Sequence, residues 1–191
     1  IKRYFENEDP IIRINEIIKL SDPKKNSETL YIFPEGILSG IYFKELQDYR
    51  KIFSDNFYNN DTIIMGTTIN ENSNIYNSLV LMHANLDVKS VYHKNNLVPF
   101  GEFLPFEGFL HKLGIKKITQ GYKSFSSSQE RDLIKYKDFK ILPLICYEII
   151  YSGTLNKNNE NYDFIVNISE DGWFGNSIGP HQHFVHSIFR S

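Results

Sequence analysis

The chain of 191 residues has a single cysteine, Cys146, and no strong excess of charge of either sign. One thiol excludes an internal disulfide framework, and no Cys/His spacing matches a structural zinc site. Cys146 is therefore either buried filler or a nucleophile. Lys and Arg number 21 against 23 Asp and Glu, for a net charge of −2. Such a balance offers no field to hold a polyphosphate, which excludes nucleic acid as a main partner. Long hydrophobic runs are missing too. The most apolar stretch, residues 141–151, includes Glu148 and falls well short of the roughly 20 residues a membrane-spanning helix needs. There is no signal-peptide pattern and no initiator Met at Ile1, and Ser191 follows an apolar helical pattern (Phe184, Val185, Ile188, Phe189) without a stop signal. A fragment of a longer polypeptide is the expectation. What is present is core-forming material, 41% hydrophobic and 15% aromatic residues, which disfavours disorder and suits one domain over 1–191.

The order of elements follows from periodicity. Ile11, Ile14, Ile17 and Ile18 fall at helical spacing behind Pro10, so residues 11–20 form an amphipathic helix closed by Ser21-Asp22-Pro23. Residues 29–33 read as a short buried strand ended by Pro34-Glu35-Gly36. A helix over 43–53 and a strand over 62–67 follow. After a polar turn at 70–74, residues 76–83 and 88–93 form a hairpin about Ala84-Asn85-Leu86-Asp87. Residues 97–130, with scattered Pro, Gly, Phe and Ser, lack periodicity, as functional segments often do. Strands resume over 139–146, continuing into 147–150, and over 162–168; a turn-rich stretch then leads to a helix over 181–190. Strands alternating with helices predict an α/β layered domain with its working groups at strand ends.

Three reactive side chains stand at or just past such ends: Glu35, Lys94 and Cys146. A free thiol has a pKa of about 8.5, so it needs a base or a cation to act near neutral pH. Glu35 would take the proton. Lys94, with a backbone N–H beside Cys146, would hold the charge developing on a carbonyl oxygen. Such a carboxylate and ammonium, buried together, should touch, since an unpaired buried charge costs several kcal/mol. Taken singly, each has a plainer reading: a core cysteine, a loop carboxylate, a solvated lysine. His181, His183 and His186 invite a metal reading, but no third ligand stands at a useful spacing, so no metal or cofactor is expected.

Pro34-Glu35, the block Tyr92-His93-Lys94-Asn95-Asn96-Leu97-Val98-Pro99-Phe100-Gly101-Glu102-Phe103-Leu104-Pro105, Ile145-Cys146-Tyr147-Glu148, and Asn167-Ile168-Ser169-Glu170-Asp171-Gly172-Trp173-Phe174-Gly175 followed by Ser177-Ile178-Gly179-Pro180 occur in this order. Together they resemble the carbon–nitrogen hydrolase (nitrilase-like) domain of the bacterial apolipoprotein N-acyltransferase family. The resemblance runs over nearly the whole chain. It implies an αββα sandwich, incomplete at both ends, and a Glu–Lys–Cys triad carried onto Glu35, Lys94 and Cys146. Glu102, Tyr147 and Glu148 become supporting residues: Glu102 orients Lys94 or stabilises the tetrahedral intermediate, and Glu148 holds the nucleophile's loop. For Glu102 and Glu148 the plainer alternative is a surface or ion-pair carboxylate. The chemistry implied is transfer of an acyl chain from a membrane phospholipid, through a cysteine thioester, to the α-amino group of a diacylglyceryl-cysteine at a lipoprotein's N-terminus. The implied setting is the bacterial inner membrane, with the domain facing the periplasm.

Keeping water from the thioester would need cover, and the apolar segment with Phe100, Phe103 and Phe106 is a candidate lid or acyl-chain contact, with Trp173 placed in the same group. The sequence departs from the family pattern at Glu170, where the family has Asn. A soluble amidase or nitrilase using the same triad, and a non-catalytic remnant, are the competing readings.

Overall fold

The computed structural model describes residues 9–105, 124–151, 153, 155 and 160–190. Helix α1 (Pro10–Ser21) starts where Pro10 needs no amide partner and the Asp9 carboxylate accepts the N–H of Ile11. It ends at Asp22, whose left-handed backbone returns its N–H to the Ile18 carbonyl. Its buried side includes Ile14, Ile17 and Ile18.

The first sheet has the order β1-β2-β3-β4, with β1 (Leu30–Ile32), β2 (Thr62–Glu71), β3 (Asn74–His83) and β4 (Val88–His93). β1 runs parallel to β2, and the other neighbours are antiparallel. The second sheet has the order β5-β6-β7, with β5 (Ile134–Tyr136) antiparallel to β6 (Phe139–Ile145) and β7 (Phe164–Ile168) parallel to it.

Alternation along the strands divides the core into layers. Ile63 and Met65 of β2 and Val80 and Met82 of β3 face α1 and the helices α2 (Phe43–Leu46) and α3 (Arg50–Asn56). Their neighbours Ile64, Leu79 and Leu81 point the other way, into a cluster shared with Ile134, Ile141, Ile145, Val166 and Ile168 of the second sheet. Leu142, Leu144 and Ile165 lie on that sheet's outer face with Ile149 and Leu155. The result is sheet packed on sheet, with α1, α2 and α3 on the outer face of the first sheet.

Five details differ from the sequence reading. The helix expected over 43–53 is broken by a 3₁₀ turn at Gln47–Tyr49. The turn expected over 70–74 narrows to Asn72 and Ser73, both at positive φ (49° and 69°), which lets the ladder run to Glu71↔Asn74. β5 was not expected at all. The strand through Cys146 stops at Ile145, and Cys146–Ile150 form a 3₁₀ turn instead of continued strand. The final helix, α4 (Gly179–Arg190), begins two residues earlier than its periodicity suggests.

Candidate active site

Both sheets contribute to one cluster at their strand ends. The chain leaves β1 at Phe33, whose N–H donates to the Ile64 carbonyl, and turns at Pro34 to present Glu35. Room for this turn is made by Gly66, where a Cβ would lie 2.7 Å from the Glu35 Cα and 3.0 Å from the Pro34 carbonyl oxygen. Lys94 follows β4 directly, and its N–H donates to the Asn77 carbonyl of β3. Cys146 follows β6 with φ at +55°, a left-handed conformation that costs a non-glycine residue about 1–3 kcal/mol and recurs at functional turns.

Lys94 is almost fully buried, its side chain 1% exposed. Its Nζ lies 3.6 Å from Glu35 Oε1 and 3.0 Å from each oxygen of Glu102. Burial would lower the ammonium's pKa, but Glu35, Glu102 and Cys146 together outweigh it and raise it. Lys94 therefore stays charged. The Asn77 amide ties the two carboxylates together, donating to Glu35 Oε1 at 2.7 Å and to Glu102 Oε1 at 2.8 Å. The Val98 N–H holds Glu102 Oε2 at 2.9 Å, and the Glu170 N–H donates to Glu35 Oε2 at 3.2 Å.

The Cys146 thiol is pushed up to about 12, first by burial and then by the negative charge of Glu35. Lys94 and a hydrogen bond with Ser169 pull it down, while hydrogen bonding with Glu35 pushes it up. A resting thiol, a carboxylate that acts on it and a fixed ammonium thus stand together at the strand ends. Such a group does not ionise on its own near neutral pH, so nucleophilic attack requires a base in the same step.

Glu148 is not at the surface and does not meet the thiol. It is fully buried and salt-bridged to Arg131 Nη2 at 2.6 Å. Its carboxylate also accepts from the Tyr92 hydroxyl (2.8 Å to each oxygen) and from the N–H groups of Asn95, Asn96 and Ile145 (3.0, 3.0 and 2.9 Å). One side chain thereby fixes the loop after Lys94 and the residue before Cys146. Arg131 further donates to the Tyr92 hydroxyl and the Leu155 carbonyl. Burial, and then the charge of Glu148, push the Tyr92 phenol far up, so its proton stays in place.

Tyr147 stacks on the His183 ring (5.2 Å between centroids, 7° between planes) and tilts against Phe174. A cavity of about 470 Å³ borders Tyr147, Ile150, Ile178 and Val185, and a smaller one of about 210 Å³ is lined by Pro34, Ser169, Glu170, Asp171 and Gly172, next to Glu35.

In the proposed lid, Phe100 is 45% exposed at φ +62° and Phe103 is half-buried. The Phe100 N–H donates to the Phe103 carbonyl, and the Glu102 N–H to that of Val98, in a tight loop that points Glu102 inward. Phe106 lies outside the described residues. Trp173 falls within the 3₁₀ turn Asp171–Phe174, with its side chain outside the described set.

Sequence reasoning missed Asn77, Tyr92, Arg131 and Ser169. Asn77 could have been found from the hairpin register, because Ser78 pairs with His93 and so sets Asn77 beside Lys94. Arg131 sits in the aperiodic stretch and carried no local signal. Among the described residues no group of His, Cys, Asp and Glu is arranged to hold a metal ion, and no helix is long and apolar enough to cross a membrane.

The family model for carbon–nitrogen hydrolases matches residues 5–190. A protein of Wigglesworthia glossinidia brevipalpis named apolipoprotein N-acyltransferase is 36% identical over 190 residues, covering 95% of this chain and 37% of the relative. Another of that name, from Bradyrhizobium diazoefficiens, is 40% identical over 117 residues, covering 61% of this chain and 22% of the relative. The chain thus spans less than two fifths of the length of these relatives. Among solved structures, a carbon–nitrogen hydrolase from Helicobacter pylori superposes with a TM-score of 0.63 at 14% identity, covering 95% of this chain and 63% of the other. The fold, the strand-end cluster and a family match over nearly the full sequence agree, and the chain belongs to the carbon–nitrogen hydrolase family.

Proposed function

We propose that this chain is the acyl-transferring domain of an apolipoprotein N-acyltransferase. The observation that carries the reading is the 36% identity over 190 residues to a protein of that name. The contacts of Lys94 with Glu35 and Glu102, and of Glu35 with the Cys146 thiol, supply the chemistry it requires.

In the first half-reaction Glu35 removes the thiol proton as Cys146 Sγ attacks an ester carbonyl of a phospholipid. Lys94 faces the oxygen that becomes negative, where a fixed charge in a dry site lowers the barrier more than it would in water. Collapse breaks the ester C–O bond, Glu35 returns the proton to the departing glycerol oxygen, and a lysophospholipid leaves. In the second half-reaction the α-amine of a diacylglyceryl-cysteine attacks the thioester. A C–N bond forms, the C–S bond breaks, and the amine's proton returns through Glu35 to Sγ.

Glu102 holds Lys94 in place, and Phe100 and Phe103, on the loop that carries Glu102, serve as acyl-chain contacts. In this reading the whole protein works at the bacterial inner membrane with this domain on the periplasmic side, and a phospholipid and a lipoprotein are its partners.

Incubating the complete polypeptide with phospholipid vesicles and digesting it should yield a Cys146 peptide heavier by one acyl chain, labile to neutral hydroxylamine. The Cys146→Ser protein should yield no thioester. Absence of the adduct in the unaltered protein, together with release of ammonia from small amides, would assign the same side chains to an amidase instead.

A further inference from the structure

Helix α4 is unusual in what it buries. Phe184, Val185, Ile188 and Phe189 are all exposed, whereas His183, a polar residue, is the buried one at 4% exposure. Its ring nitrogens meet two acceptors. Nε2 lies 3.0 Å from the backbone carbonyl oxygen of Cys146, and Nδ1 lies 2.8 Å from Asp171 Oδ1. A backbone carbonyl can only accept. Nε2 therefore donates to the Cys146 carbonyl, since a bare nitrogen there would set a lone pair against an oxygen. Asp171 Oδ1 also lies 2.8 Å from the Ser169 hydroxyl, so Asp171, Ser169 and the ring form one cluster.

The ring is also fixed in orientation. Tyr147, the residue after the nucleophile, lies flat against it, and Ser169 Oγ stands 3.4 Å from Nδ1. The carbonyl it grips belongs to the one residue at the candidate site's centre whose backbone is left-handed (φ +55°). Arg190, near the far end of the same helix, donates to the carbonyls of Ile149 and Ile150. The 3₁₀ turn that starts at Cys146 is thus held by α4 at both ends.

We propose that His183 is a positioning residue: its ring, braced by Asp171, pins the Cys146 carbonyl and fixes the turn that sets the thiol against Glu35 and Lys94. The inference deepens the reading of Cys146 as nucleophile and rests on it. His183 touches neither the thiol nor the carbonyl under attack. Its effect passes through backbone geometry, where a misplacement of about 1 Å costs on the order of 100-fold in rate.

The test is alkylation of Cys146 by iodoacetamide in the complete polypeptide, a measurement that needs no lipid substrate. His183→Ala is expected to slow it about 10- to 100-fold. His183→Gln can donate one hydrogen bond to the same carbonyl and is expected to recover much of the loss. A wild-type rate for His183→Ala, or equal rates for the Ala and Gln variants, overturns the proposal.

Glu35→Gln in the same assay separates the two readings. If it alkylates as fast as the unaltered protein, the base-assisted nucleophile fails; if it is slow while His183→Ala is normal, only the role of His183 fails. Should the variants not fold, ¹⁵N NMR of the unaltered, histidine-labelled protein near neutral pH still decides. A protonated-type Nε2 signal for His183 is expected, and a bare Nε2 overturns the proposal.

Discussion

Replacing Glu35 by Gln gives two effects of opposite sign. Burial is the first cause of the raised thiol and the charge of Glu35 the second, so the substitution should make Cys146 more acidic while making it less reactive. A thiol pushed up to about 12 is ionised at pH 7 to about one part in 10⁵. If the substitution removed the whole perturbation, a few per cent would be thiolate at that pH, and burial keeps the true fraction below this. The variant must react through that small fraction, whereas the unaltered protein transfers its proton within the step. A positioned base contributes about 10²- to 10⁴-fold, so a loss near 10³-fold is expected.

The assay is the burst of p-nitrophenol from a short acyl ester, which avoids any need for a membrane. Between about pH 7 and pH 10 the unaltered protein should show a nearly flat rate, since its thiol titrates only at about 12. Glu35→Gln should climb about tenfold per pH unit toward an inflection below that value. A burst within tenfold of the unaltered protein, or a flat profile in the variant, would refute the assignment of Glu35 as base.

Three further outcomes are expected. Arg131→Met strands the Glu148 carboxylate in a fully buried place, and breaking such a pair costs about 3–5 kcal/mol; urea unfolding should show it, and an unchanged midpoint would contradict the role given to that pair. Gly66→Ala forces a Cβ to within 2.7 Å of the Glu35 Cα, so the burst should fall by at least tenfold, a ~1.4 kcal/mol effect on the barrier; a normal burst would mean that the Pro34-Glu35 turn yields without consequence. Glu102→Gln removes one of the two charges facing Lys94 while leaving an amide that can still bond it; the burst amplitude should persist with its rate reduced about 10- to 100-fold, and loss of amplitude with full rate would point to misfolding instead.

The sequence sets Glu35, Lys94 and Cys146 at strand ends, and the structure brings these three candidate residues together from positions far apart along the chain. What could not be read were the contacts that hold them. Arg131 meets Glu148 across 17 residues and the Glu170 N–H meets Glu35 across 135, and no local pattern encodes pairs at such separations. β5 spans three residues, too few for a period to register. The apolar run through Cys146 reads as continuous strand, because nothing in Ile-Cys-Tyr-Glu-Ile-Ile signals a left-handed residue. Only Glu148 reaching back to the Ile145 N–H gives the turn its start. The same carboxylate showed no sign in the sequence that it would be buried.

Glu35 and Lys94 leave the first sheet, whereas Cys146 leaves the second. The proposed proton acceptor and nucleophile are therefore mounted on opposite leaves of the sandwich, and their separation is a gauge of how firmly those leaves are pressed together. Trimming the contacts between Leu79 or Leu81 and Ile141 should let the leaves slide, and turnover would decline well before any strand is lost.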